Sequence, residues 1–237
     1  MYEGFFNVLY PRRCPVCFEI LEDQKRICCP SCYKKVKRVK QPYCYQCGKP
    51  LRSARQEYCS DCKKRKKSFD RGFSVVEYDA VTAPSILAIK YKNQREFLEV
   101  YGWLAKKQYQ DILKNLPIDS IIPVPLAKGK KRKRGFNQAE LFGKEISRWL
   151  GVPLNLKLLI RKKETAALKT LSPLERRAVL KKVFCWKEEA YRGEKAVLLV
   201  DDIYTSGATA DACARVLKEH GIQRVYILTM AIGRGND

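Results

Sequence analysis

Two patterns in this chain are made of residues that can do chemistry. The first is a series of four Cys-x-x-Cys pairs, Cys14/Cys17, Cys29/Cys32, Cys44/Cys47 and Cys59/Cys62, in which the first cysteines of successive pairs stand fifteen residues apart. A Cys-x-x-Cys turn aims two sulfurs at one ion. Two such turns complete the four-thiolate tetrahedron that zinc prefers, with Zn–S about 2.3 Å. Pairing the turns in chain order, Cys14/Cys17 with Cys29/Cys32 and Cys44/Cys47 with Cys59/Cys62, gives two structural zinc ribbons. A crossed pairing, or a single filled site, is the alternative. Redox-active dithiols are the competing chemistry, but their motif follows a strand inside a βαβ pattern, which this region lacks. Gly48, directly after Cys47, suits the tight turn of such a knuckle, where φ is often positive.

The second pattern is VLLVDDIYTSGATADACARVL, Val197 to Leu217. An apolar strand runs into two carboxylates, then into hydroxyls and a glycine, then into a helix. Backbone N–H groups at a helix N-terminus, with the helix dipole, form an anion site. Gly207 lets the backbone approach closely, and Thr205, Ser206 and Thr209 add hydroxyl donors, a cradle for a phosphate monoester. Asp201 and Asp202 would repel that phosphate, so they must meet hydrogen-bond donors elsewhere on the same ligand. Vicinal ribose hydroxyls fit, and the ligand implied is a ribose 5-phosphate moiety. The plainer alternative is an acidic pair that caps a helix.

Elements that position these groups can be read around them. The segments 71–79, 118–126, 154–160, 183–186, 196–200 and 224–231 read as strands. Helices are expected over 83–92, 96–116 and 208–220, from Asn137 to Trp149, and from Ser172, which has Glu175 at capping-box spacing. In the second helix Phe97, Tyr101, Leu104, Tyr109, Ile112 and Leu116 recur at helical spacing. KGKKRKR (128–134) reads as a basic loop. Strand, helix and strand within about thirty residues make a βαβ unit, so the expected fold class is α/β, a mostly parallel sheet flanked by helices, beside a small N-terminal zinc-ribbon module. The division expected is 1–67 for the ribbons and 68–237 for the α/β domain. In such sheets ligands sit beyond the carboxyl ends of the strands, where Asp201 lies.

The chain has 48 Lys plus Arg against 25 Asp plus Glu, a formal charge of +23. Two filled four-thiolate sites lower this only to about +19. The cations cluster at 34–40, 63–67, 128–134 and 161–163. Each run alone reads as a solvated face; together they point to a polyanion. Tyr43, Tyr45 and Tyr58 lie among them, either packing over a small zinc core or offering rings to unpaired bases. No apolar run approaches the roughly 20 residues of a membrane helix, and MYEGFFNVLYPRRC lacks a charged leader with a cleavable apolar core. The expectation is a cytoplasmic protein without membrane insertion. Cys28, Cys185 and Cys213 read as small core residues or spare thiols, and the single histidine, His220, as a helix C-terminal cap rather than a base.

VLLVDDIYTSGAT resembles the phosphoribosyl pyrophosphate (PRPP) binding motif of type I phosphoribosyltransferases. The order of four knuckles, IKYK (89–92), IIPVPLAKGKKRKRGFNQAELFGKEI (121–146), LSPLERR (171–177) and that motif resembles the ComF or ComFC competence proteins over nearly the whole chain. That resemblance implies a type I phosphoribosyltransferase-like domain fused to a double zinc ribbon, and a part in handling incoming single-stranded DNA during natural transformation. By it, Asp201 and Asp202 hold the ribose hydroxyls, Thr205 to Thr209 hold the 5-phosphate, and the motif spans Asp201, Asp202, Ile203, Tyr204, Thr205, Ser206, Gly207, Ala208 and Thr209. Mg²⁺ would accompany PRPP. Lys90, Tyr91 and Lys92 stand where the pyrophosphate loop would be, and Arg134 is a candidate lid residue. Leu168 and Val179 depart from a glutamine and an asparagine common in the family. Three functions follow as alternatives: a DNA-handling protein that binds PRPP and meets competence machinery proteins, an active phosphoribosyltransferase with an unassigned acceptor, and a zinc-dependent interaction module with a relict fold.

Overall fold

A computed structural model describes residues 11–162 and 183–233. The helix expected from Ser172, together with Leu168 and Val179, lies outside the described residues. The cysteine-rich segment carries two short helices, α1 (Pro30–Lys35) and α2 (Ser60–Lys64), each beginning directly after a knuckle cysteine. Then follow β1 (Arg71–Tyr78), α3 (Ala83–Tyr91), α4 (Leu98–Lys114), β2 (Ser120–Pro123), α5 (Lys128–Arg134) and α6 (Gln138–Leu150). The chain continues with β3 (Leu159–Arg161), β4 (Phe184–Trp186), β5 (Ala196–Tyr204), α7 (Ala208–Glu219) and β6 (Arg224–Gly233).

Four strands form one sheet in the order β1-β6-β5-β2, all parallel. Burial on both faces explains why the β5 sequence is a continuous apolar run instead of an alternating one. Val197 and Leu199 of β5 and Val225 and Ile227 of β6 enter one cluster, while Leu198, Val200, Tyr226 and Leu228 enter the other. Ile86 and Ile89 of α3, Leu104 and Leu113 of α4, and Phe142 and Ile146 of α6 cover the second face. Cys213 and Leu217 of α7 cover the first, with Leu159 of β3 and Phe184 of β4. The α/β class expected from the sequence is the one observed. Of the six positions expected to line α4 and the turn before it, Phe97, Tyr101, Leu104 and Tyr109 are buried, and Ile112 and Leu116 pack at its margin.

Three expectations need correction. The basic loop 128–134 is helical: Lys and Arg are good helix formers, the cations fall in the last turn where the dipole favours them, and Gly135 closes the helix at φ 79°. The 154–160 segment is strand only from Leu159, because Leu154 bridges to Ile121 at the outer edge of β2 and Asn155 turns the chain with its side chain. Strand β5 extends through both aspartates to Tyr204, since β6 pairs with it as far as Ile232.

Both outer strands are covered, which removes open edges. Pro153–Asn155 pairs with Ile121 on β2, and residues 37–39, the connection between the ribbons, pair antiparallel with β1. The ribbons therefore straddle the β1 edge. Phe18 of the first meets Phe97 edge to face at 5.5 Å, and Tyr33 meets Trp103 of α4 at 5.7 Å. All four cysteines of the second belong to the core cluster on the opposite face. Gly48 (φ 76°) is confined there by more than its turn, since a Cβ would lie 2.7 Å from the Gly72 carbonyl oxygen at the start of β1.

Among the described residues no helix is long and apolar enough to cross a membrane. The different burial of the two cysteine sets yields the first prediction. Cys47 is 2% exposed inside the main core, whereas Cys17 is exposed. Cys47→Ser is expected to lower the melting temperature of the whole chain by on the order of 10 °C, and Cys17→Ser to leave the main transition within about 3 °C. Calorimetry paired with zinc stoichiometry checks this; equal effects of the two substitutions would contradict it.

Candidate functional site

The cysteines come together in chain order. Cys14, Cys17, Cys29 and Cys32 form one group and Cys44, Cys47, Cys59 and Cys62 the other, with the four sulfurs of each within 4.8 Å of one another. A tetrahedron with zinc–sulfur bonds near 2.3 Å has edges of about 3.8 Å. Cys17 Sγ to Cys29 Sγ is 3.9 Å and Cys47 Sγ to Cys59 Sγ is 3.6 Å, so both donor sets fit a structural zinc ion. Hydrogen bonds from the Cys47, Cys59 and Cys62 thiols drive Cys44 far below the ordinary thiol range. In the first group burial opposes ionisation of Cys14, but backbone N–H groups outweigh it and bring the thiol to about 6. Cys28 is a fifth sulfur beside that group, 3.7 Å from Cys14. Cys213 is buried under the sheet as a small core residue, and Cys185 lies half-buried on β4.

The aspartates lie at the carboxyl end of β5, between β2 and β6. Asp201 Oδ1 accepts a hydrogen bond from the Asp202 N–H at 2.8 Å. Burial, then the charge of Asp202, pushes the Asp201 carboxyl up to about 8. Asp202 pairs with Lys90 Nζ at 2.9 Å, both side chains being less than a fifth exposed. Lys90 is thus brought to the acidic pair by the last turn of α3. Tyr91 and Lys92 follow it on the surface, and the Arg134 guanidinium stands over the Tyr91 ring, 5.2 Å from its centroid. The basic helix α5 is anchored at this end because Asn137 Nδ2 donates to the Val124 carbonyl while its Oδ1 caps α6 through the Ala139 N–H.

Beyond the aspartates, Ile203 packs against the helical face and Tyr204 is buried on the other. Thr205 and Ser206 are exposed, Gly207 turns the chain with φ 71°, and Ala208 and Thr209 open α7. The Tyr204 hydroxyl occupies the space a Cβ on Gly207 would need, so only glycine closes this loop over the ring. The acidic pair does not cap α7, because Gly207 holds the cap position and the carboxylates remain in the sheet.

Two residues near the site carry no signal in the sequence reading. Arg161 of β3 lies close enough to Asp201 and Cys213 for their charges to work against the burial that lowers its pKa. In the sequence it was one cation in a basic run. Lys67, buried at the end of another run, donates to the Ser206 carbonyl at 3.2 Å. Its own carbonyl, with that of Phe69, accepts from Gln46 Nε2 in the second knuckle. His220 ends α7, with Nδ1 2.8 Å from the Val216 carbonyl and its ring stacked on Trp186, consistent with a cap.

Comparison with known proteins adds the following. Residues 5–63 match the double zinc ribbon domain family. The chain is 33% identical over 158 residues to competence protein F of Haemophilus influenzae, covering 62% of this chain and 67% of that protein. It is 26% identical over 162 residues to the DNA utilization protein YhgH of Escherichia coli K12, covering 67% and 70%. An adenine phosphoribosyltransferase from Trypanosoma brucei superposes with a TM-score of 0.39 at 13% identity, over 86% of this chain and 78% of that one.

The raised Asp201 pKa yields a stability prediction. The folded chain holds this proton up to about 8, against an ordinary 3.8, so folding takes up a proton across that interval. Stability then falls as pH rises from about 4 towards 8. Asp201→Asn removes this dependence. The variant is expected to melt on the order of 5 °C above the wild type at pH 7.5 and to converge with it near pH 4.5. Thermal melts across that range test it; a pH-independent gap, or a lower melting point for the variant at pH 7.5, would contradict it.

Proposed function

The chain belongs to the ComF family of competence proteins, and from that premise we propose that it binds PRPP at the carboxyl end of β5 and handles incoming single-stranded DNA through its basic surface. The observation that carries the first half is the juxtaposition of the Asp201 and Asp202 carboxylates, Lys90 and the Thr205–Thr209 loop around one strand end. Two acceptors for ribose hydroxyls stand beside a turn rich in hydroxyls and backbone donors, and cations from α3 and α5 stand nearby for a pyrophosphate.

The residues divide the work by charge. Asp201 and Asp202 accept from the ribose 2′ and 3′ hydroxyls. Thr205, Ser206, Gly207, Ala208 and Thr209 receive the 5-phosphate through hydroxyl and backbone N–H groups at the start of α7. Lys90, with Tyr91 and Lys92, faces the pyrophosphate. Because Lys90 is held by Asp202 without ligand, it must exchange that carboxylate for phosphate oxygens, or bridge both, as the ligand enters. Arg134, resting on the Tyr91 ring, is the lid residue, and it is carried by a helix rather than by a loop. Outside the two cysteine groups, no cluster of three or more His, Cys, Asp or Glu side chains able to hold a metal ion occurs among the described residues. Mg²⁺ would arrive on the pyrophosphate, where it shields charge, with the acidic pair as the protein's contribution nearby.

The second half rests on the family and on charge. A formal +23 far exceeds what solubility needs, and a polyanion whose binding weakens steeply with salt is the partner it suits. Competence machinery proteins in the cytoplasm are the expected further contacts.

Titration of PRPP with Mg²⁺ into the wild type and into the Asp201→Asn, Asp202→Asn double variant, repeated with single-stranded DNA present, tests the assignment. Saturable binding is expected in the wild type, weakened at least about 100-fold in the double variant by loss of the Asp202 charge and of one carboxyl oxygen on each side chain. Equal binding by both proteins, or none by the wild type, would overturn the PRPP assignment.

A further inference from the structure

The three tyrosines of the second ribbon separate in the fold. Tyr43 is buried and serves the core, whereas Tyr45 and Tyr58 are 53% and 41% exposed. The Tyr45 N–H donates to the Glu57 carbonyl at 2.9 Å, so the two knuckles carry these rings side by side. Their centroids are 6.3 Å apart and their planes are inclined by 82°. Two large exposed aromatics on a ribbon whose interior is already closed by Tyr43 and four cysteines are not needed for packing.

Each ring faces an open groove. One, of about 730 Å³, is lined by both tyrosines together with Lys63, Lys66, Asp70 and Arg71. A second, of about 250 Å³, lies across Tyr58 and is lined by Arg52, Gln56 and Lys63. Tyr58 and Lys63 border both, so the grooves run on either side of one aromatic wall. The charge is one-sided. Asp70 is already engaged by Lys218 at 2.8 Å and Arg224 at 3.2 Å, and among the described residues neither Lys63 nor Lys66 is ion-paired.

We propose that these two grooves, divided by Tyr58, are the track for single-stranded DNA, with bases stacked on Tyr45 and Tyr58 and phosphates on Lys63, Lys66 and Arg71. The proposal rests on the reading that the chain handles single-stranded DNA and adds where and by what contacts it does so. A duplex hides its base faces and would meet only the cations, while an acidic peptide would use the cations and leave both rings idle. A single strand uses every group present: rings that accept any base, since all have a π face, and cations spaced along the backbone path. The track also adjoins the β5 site along the chain, for Lys66 lines the groove and Lys67 holds the Ser206 carbonyl.

The test is binding of a fluorescein-labelled oligothymidine to the full zinc-loaded chain across a salt series. Tyr45→Leu with Tyr58→Leu is expected to weaken binding at least about tenfold at every salt concentration with an unchanged salt slope. Lys63→Gln with Lys66→Gln is expected to flatten the slope by roughly two phosphate contacts. Tyr58→Trp retains a stacking face and should keep wild-type affinity. Zinc stoichiometry and melting temperature verify that each exposed substitution leaves the ribbon folded. If the wild type does not bind the oligonucleotide, the DNA-handling reading falls and this assignment with it. If the wild type binds and the double leucine variant binds equally, or if polyglutamate displaces the oligonucleotide as well as unlabelled oligothymidine does, the groove assignment alone is overturned.

Discussion

The sulfurs of Cys44, Cys47, Cys59 and Cys62 are drawn together inside the layer that covers one face of the sheet, not out on a surface module. This placement decides much of what surrounds it. Cys47 and Gly48 pack directly on Gly72 and Phe73, so the knuckle turn and the first residues of β1 meet backbone to backbone. Lys49 is buried beside the sulfurs; burial opposes its charge, but Asp61 at 2.7 Å and the Cys59 and Cys47 sulfurs outweigh this and raise its pKa. A metal ion that holds four sulfurs at about 3.8 Å edges therefore also fixes a wall of the main core.

From that wall a line of contacts reaches the β5 site. Gln46, between two metal-binding cysteines, holds the carbonyls of Lys67 and Phe69. The Phe69 ring meets Tyr204 edge to face at 6.3 Å, and Lys67 holds Ser206. The Tyr204 phenol, whose pKa is raised by burial and then by the negative charge of the cysteine group, lies under Gly207. Thr205 and Ser206 are exposed, yet the Ser206 carbonyl and the residues on either side of the pair are fixed from below. A loop supported in this way is pre-set, and a pre-set loop loses little freedom on binding. On the other side of β5 two carboxyl groups meet the charges of Lys90 and Arg161. Asp201 is held close to Asp202 in a partly buried setting, and Lys90 compensates only the second carboxylate directly. Local instability of that kind concentrates where ligands bind.

The sequence made some of this legible and hid the rest for physical reasons. Metal-binding spacing and the strand-acid-glycine-helix order are local signals, so the cysteine grouping in chain order and the β5 to β6 unit are legible in them. Charge dominates the composition of segment 128–134 and obscures its helix, which comes from propensity and a Gly135 cap. Hydrophobicity ends before the aspartates, whereas pairing with β6 carries the strand through both of them. Arg161 and Lys67 could not be found from spacing, since their roles depend on partners 40 and 139 residues away in the chain.

The connection between the ribbons explains why two similar sequence repeats are used differently. Residues 37–39 add an antiparallel edge to β1, through bonds of Val39 to Val75 and Glu77 to Lys37. With this segment fixed, the preceding ribbon must fall on the α4 face and the following one on the α7 face. The first then touches the domain through aromatic edges, by Phe18 and Tyr33, and keeps Cys17 at the surface. The second is drawn into the core and turns Tyr45 and Tyr58 outward, because Tyr43 already occupies the inward direction. Equal spacing of the knuckles thus produces one ribbon that leans on the fold and one that is part of it, and the exposed aromatic face belongs to the ribbon whose backbone is most firmly held.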